Sequence, residues 1–151
     1  MKFGRRFAVR VPAEIAFAYF SDPGRAFDRL APQYHVTLTW SGPIERGATF
    51  ELRAPNPHDN CTGVVEEFQR PRHLSYRLWV TDDPERGGVV TMDFEGKTDT
   101  TEVEATIETR MSPGYEVAAS LLRPLLVLLA RRGIKKQVRI LEEDYRGTVG
   151  E

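Results

Sequence analysis

The sequence predicts an α+β domain: one curved antiparallel sheet of seven strands gripping a long C-terminal helix, with two short helices between the first and second strands. Three observations carry that reading. Residues 113–145 run at helix length, apolar nearly all round in the first half and amphipathic in the second. Seven segments alternate apolar and polar side chains with a period of two, as half-buried strands do. Short turns join the later segments, which makes their pairing antiparallel. A sheet with one dry face needs a partner, and the long helix is the only element large enough to cover it.

The bulk numbers narrow the class. A chain of 151 residues, 40% hydrophobic and 28% charged, fits a single globular domain, here residues 1–146 with a frayed tail at 147–151. Twenty-one basic and 22 acidic residues nearly cancel, so no global field points to nucleic acid. The lone Cys61 excludes an internal disulfide and fits a reducing compartment. The N-terminus lacks the apolar run of a signal peptide, and the longest apolar run, 125–130, is far short of the roughly twenty residues that cross a bilayer. A cytoplasmic protein is the expectation.

In order, residues 3–11 alternate, with Phe3, Phe7, Val9 and Val11 on one side and Arg6, Ala8 and Arg10 on the other. Pro12 ends this strand. Residues 13–20 and 25–30 form the short helices, separated by the turn cluster Ser21-Asp22-Pro23-Gly24. Strands follow at 34–41, 48–53, 61–69, 74–81, 90–95 and 101–111. Residues 54–60 carry two prolines and read as a loop, and 82–88, with Gly87-Gly88, reads as the hairpin turn of the chain. The long helix enters through Ser112-Pro113-Gly114 and closes near Arg146-Gly147. Pro124 interrupts its interior and predicts a kink.

Several stretches resemble one family. Val11-Pro12-Ala13-Glu14-Ile15 running to Ser21-Asp22-Pro23 is similar to the entry segment of the START-like (SRPBCC) superfamily. That is the helix-grip fold of polyketide cyclases and dehydrases, plant pathogenesis-related allergens and lipid-transfer domains. Gly63-Val64-Val65-Glu66-Glu67-Phe68 with Pro71, Leu74 and Tyr76 resembles its strand, proline turn and Leu-x-Tyr pattern, and the long helix completes the likeness. Where that family often carries a tryptophan early in the second helix, Phe27 stands here. The resemblance implies a deep cavity between sheet and helix for apolar molecules; its motifs name no reaction.

Alternation selects the inward residues. They are Phe7 and Val9 in the first strand, Trp40, Phe50 and Leu52 next, then Tyr76 and Leu78, and finally Met92, Phe94, Val103 and Ile107. Phe27, Leu30, Ala119, Leu122 and Leu126 join them from the helices. These residues either fill an ordinary core or line a ligand pocket. Among inward polar groups, Tyr76 has a phenol able to orient a ligand or give a proton, and Arg5 lies on the inward register near the strand's open end. Thr101 and Thr109 fall at the ends of the last strand, within reach of solvent. His35 and His73 fall on the outer register and His58 in a loop, with no metal-ligand spacing among them or with Cys61, so neither metal nor cofactor is expected. Asp93 and Glu95 also point outward. Glu102, Glu104 and Glu108 form an outer acidic row opposite Arg6 and Arg10.

Arg131, Arg132, Lys135, Lys136 and Arg139 follow the apolar half-helix. They read either as a solvated face answered by Glu142, Glu143 and Asp144 or as a transient membrane-surface contact. Three functions stay open. The domain binds and carries a small hydrophobic ligand such as a lipid or polyketide-like metabolite. Alternatively it is a metal-free polyketide cyclase or dehydratase using Tyr76 and Arg5, or an interaction module with a vestigial cavity. The oligomeric state is monomer or homodimer.

Overall fold

Consecutive alternating strands build a meander. The computed structural model describes residues 2–25, 35–110 and 131–149. Its elements are β1 (Lys2–Val9), α1 (Ala13–Phe20), β2 (Thr37–Trp40), β3 (Thr49–Arg53), β4 (Cys61–Gln69), β5 (His73–Val80), β6 (Asp83–Lys97), β7 (Thr100–Arg110) and α2 (Arg131–Val149). They form a seven-stranded sheet in the order β1-β7-β6-β5-β4-β3-β2, every neighbour antiparallel. The first strand thus returns to pair with the last. This is the α+β helix-grip architecture that the alternation predicts. The second short helix beyond Arg25, the helix over 113–130 and Pro124 lie outside the described residues, as do Phe27, Leu30, Ala119, Leu122 and Leu126.

Register sorts the inner face into rows. Phe7, Val103 and Phe94 share one; Arg5, Ala105, Met92, Leu74 and Phe68 share the next. Ile107, Val90, Tyr76 and Val65 make a third. Trp40, Phe50, Gly63, Leu78 and Gly88 make a fourth. Phe68 reaches this face because a bulge between Val65 and Glu67 shifts the register of β4, which simple alternation does not foresee.

The entry segment packs as its chemistry dictates. Pro12 holds an extended conformation at the N-cap, and its carbonyl accepts from Ile15 and Ala16. Asp22 Oδ1 accepts from the Gly24 amide at 3.0 Å, so the Asp22-Pro23 pair opens the next helical turn. α1 lies across β6 and β7 so closely that a Cβ on Gly96 would sit 2.8 Å from that of Ala13. That contact buries Thr101, whose hydroxyl donates to the Val11 carbonyl at 2.8 Å. Thr109 is buried too, so neither threonine is wet. α2 rests on β1 through Ile134, Val138, Leu141 and Tyr145. It continues to Val149, past the expected end near Arg146-Gly147.

Four other expectations are corrected. The hairpin loop over 82–88 is a two-residue turn at Thr81-Asp82, because Asp83 already pairs with Val80. Gly87 and Gly88 belong to the sheet, where added Cβ atoms would lie 2.6 Å from the Leu78 carbonyl oxygen and 2.9 Å from that of Glu108. Pro84, Glu85 and Arg86 form the intervening bulge, which tolerates a residue without an N–H. β2 begins only at Thr37, since His35 adopts a φ of 50°, left-handed and incompatible with a strand. β1 ends at Val9, so of the two arginines Arg6 meets the acidic row, 3.0 Å from Glu104, while Lys97 lies 3.6 Å from Glu102. Arg10 instead offers its backbone amide to Glu142 Oε1 at 2.9 Å.

Candidate functional site

The candidate site is the inner face between β2 and β7, built here from the sheet side. Phe50, Leu52, Tyr76, Leu78, Met92, Phe94, Val103 and Ile107 are all buried there, and Trp40 is half-buried at the margin. Trp40 and Phe50 lie opposite each other in the β2–β3 pair, with ring centroids 4.9 Å apart. Tyr76 meets Phe50 edge-on at 5.7 Å. The three rings form a ladder running inward from the sheet edge.

Two details set that ladder. The Phe50 ring lies directly on Gly63, where a Cβ would come within 2.1 Å of its Cζ. A residue without a side chain is therefore required beneath the ring. At the outer end the Trp40 indole N–H donates to Asp22 Oδ1 at 3.0 Å. The same carboxylate oxygen caps the turn at Gly24, so the edge of the ladder is tied to the segment following α1. Gly63 and Asp22 were legible only as parts of the family-like motifs; their contacts with rings distant in sequence were not.

Tyr76 supplies the polar handle. Its ring is buried, and burial pushes the phenol above its ordinary value, so it stays a neutral O–H. Among the described residues no hydrogen-bond partner is seen for this hydroxyl. A neutral phenol on an apolar surface can donate to a carbonyl or ether oxygen. Arg5 is not beside it: β7 and β6 separate their strands, which at the usual spacing amounts to about 14 Å. One small reacting group cannot touch both.

Arg5 lies exposed at the sheet edge. With Gly4, Arg6 and Phe7 of β1 and Arg131, Ile134 and Lys135 of α2 it lines a groove of about 340 Å³. A larger cleft, about 830 Å³, occupies the Gly87-Gly88 end of the sheet. Leu78, Gly88 and Thr109 reach it from the inner face, while Arg77, Trp79 and Glu108 reach it from the outer one. The Arg77 guanidinium stacks 5.2 Å from the Trp79 ring centroid, and the cleft mixes charged side chains with apolar ones such as Leu78, Pro84 and Val89.

The other reactive side chains serve structure. Cys61 is buried, and its desolvation, with the Asp59 charge adding to it, pushes the thiol up to about 11, far from a nucleophilic thiolate. His73 on the outer face bridges Asp93 at 2.5 Å and Glu67 at 3.1 Å, tying β4, β5 and β6 together. His58 stands in the 3-10 turn Pro57–Asp59, whose N-cap Asn56 accepts from its amide at 3.1 Å. Among the described residues no group of three His, Cys, Asp or Glu side chains is placed to hold a metal, and no helix is long and apolar enough to cross a membrane.

The chain's likeness to known proteins agrees with this geometry. A norcoclaurine synthase point mutant from Thalictrum flavum superposes with a TM-score of 0.66 at 14% identity, covering 97% of this chain and 96% of that one. An HSP90 activator from Plasmodium falciparum gives 0.64 at 18% identity, over 93% and 96%. The di-domain aromatase/cyclase StfQ of the steffimycin pathway gives 0.66 at 15% identity, over 97% of this chain and 51% of its own length. At such identities these structures share the fold alone. No curated protein sequence matches. Residues 2–144 do match the family described as "Polyketide cyclase / dehydrase and lipid transport", and the chain belongs to that family within the START-like superfamily.

Proposed function

We propose that the domain binds a small hydrophobic molecule, a lipid or polyketide-like metabolite, against the inner face and carries it. The observation supporting this most directly is the Trp40–Phe50–Tyr76 ladder. It is an apolar aromatic surface with a buried, neutral phenol that has no partner among the described residues. An apolar lining with few polar groups is the usual form of a small-molecule site. The free, buried Cys61 also suits a reducing cytoplasm.

Two measurements test the reading. Native mass spectrometry of protein purified from its own host should retain a ligand, and Nile red, a neutral apolar dye, should bind with a fluorescence rise. No retained ligand together with no dye binding would refute it. A second reading, a cyclase or dehydratase, is favoured by the same phenol, which could hydrogen-bond an enolising carbonyl and so lower the cost of proton loss beside it. Under that reading Tyr76→Phe loses turnover of a candidate poly-β-ketone substrate; equal turnover by the variant would exclude it.

A further inference from the structure

Alternation in β1 sends Arg5 and Phe7 to the same side, and spacing in α2 puts Arg131, Ile134 and Lys135 on one helix face at i, i+3 and i+4. Where α2 crosses β1 these residues meet around the groove of about 340 Å³. Its walls carry Arg5, Arg6, Arg131 and Lys135; its apolar lining is Phe7, half-buried, and Ile134, buried. Among the described residues no acidic side chain lines it. Glu104 answers Arg6 from the neighbouring strand, 3.0 Å away. The row holding Arg5 continues inward in register through Ala105, Met92 and Leu74, so the groove lies at the sheet-edge end of an apolar row of the inner face.

Cations around an apolar floor, at the mouth of an apolar surface, suit one end of an amphipathic molecule. We infer that the ligand is an acid: its carboxylate or phosphate rests between Arg5, Arg131 and Lys135 while its apolar body lies along the inner face. This rests on the binding function proposed above and adds a chemical class to it. The same anion chemistry could come from a free acid or from a lipid headgroup in a membrane, and we assign it to the free acid because Arg5 and Phe7 share register rows with the apolar residues of the inner face.

The experiment displaces Nile red with decanoate and with decanol, molecules of equal chain length with and without the charge. Wild type should prefer decanoate by about tenfold, the sum of a few exposed ion pairs. Arg5→Gln with Lys135→Gln should remove that preference and leave decanol unchanged. Both side chains are exposed, and an unchanged melting temperature in the double variant would show that the lost preference is not a loss of fold. A control with the same charge loss elsewhere, Arg46→Gln with Arg70→Gln, should keep the preference. Equal displacement by both molecules in wild type, or a preference that survives in the groove variant, overturns the acid assignment while dye binding still supports the pocket. If Nile red does not bind at all, the underlying binding reading fails instead. Co-sedimentation with phosphatidylcholine–phosphatidylglycerol vesicles separates the sources. Loss of vesicle binding in the groove variant with decanoate preference intact would give the cations to a headgroup and overturn the free-acid assignment.

Discussion

Two aromatic groups share the inner face of one sheet and do different jobs. Under α1, Phe17 meets Phe68 and Phe94 at 5.1 and 5.3 Å, and Phe20 meets Phe7 at 5.6 Å. Phe17 is fully buried, and α1 closes this end directly because it follows β1 after a short connection. Toward β2, Trp40, Phe50 and Tyr76 form a line rather than a knot, floored by a glycine and ending in polar atoms. The first group is interlocked and, apart from Tyr19 edge-on to Phe20 at 5.0 Å, made of phenylalanines, so its role is to hold the fold. The second carries a hydroxyl and an indole N–H, groups that bring specificity rather than stability.

If that division is right, the largest effect on stability comes from the closed group. Phe17→Ala should cost about 3–5 kcal/mol in chemical denaturation, the range for emptying a well-packed aromatic site. A cost of the size of a surface substitution would show that this end is not closed. Next, Gly63→Val should cost about 1–3 kcal/mol and weaken Nile red binding, because the Phe50 ring must leave its place. Retained binding would detach the ladder from the site. Smaller still, Tyr76→Phe should leave stability within about 0.5 kcal/mol, yet weaken binding of a carbonyl-bearing ligand by the value of one hydrogen bond, about 1 kcal/mol. Calorimetry giving equal affinities would remove the phenol from the site.

The last effect is a slope with pH. The Cys61 thiol titrates near 9.0 when unfolded and is raised to about 11 when folded, so the native state holds that proton more tightly. The stability this contributes is complete below pH 9 and is lost as pH rises toward 11. Cys61→Ala should flatten the denaturation free energy across that window, and an unchanged slope would assign the pH dependence elsewhere, Tyr76 being the next group to examine.

Much of the sheet was readable from alternation. Met92, Phe94, Val103 and Ile107 fall where a period of two places them, and α1 begins and ends where Pro12 and Ser21 bound it. The failures share one cause: residues whose meaning depends on a distant neighbour. Gly87-Gly88 looks like a turn locally, and only the approach of the Leu78 and Glu108 carbonyls shows why glycine stands there. Phe68 turns inward through a bulge that its own segment does not announce. Thr101 lies dry because α1 crosses the strand end.

By itself the sequence determined the class: apolar periodicity is a local property, and a one-faced sheet followed by an apolar helix has few ways to hide both surfaces. The same local pattern determined which face of each strand is dry. The tertiary structure decided which residues share a site. It set Phe50 on Gly63, tied Trp40 to Asp22, parted Arg5 from Tyr76 by two strands, and brought Arg5 to Arg131 and Lys135. Those contacts join residues from 13 to more than a hundred positions apart in the chain, and only register and helix placement set them, which is why no short motif could have named them.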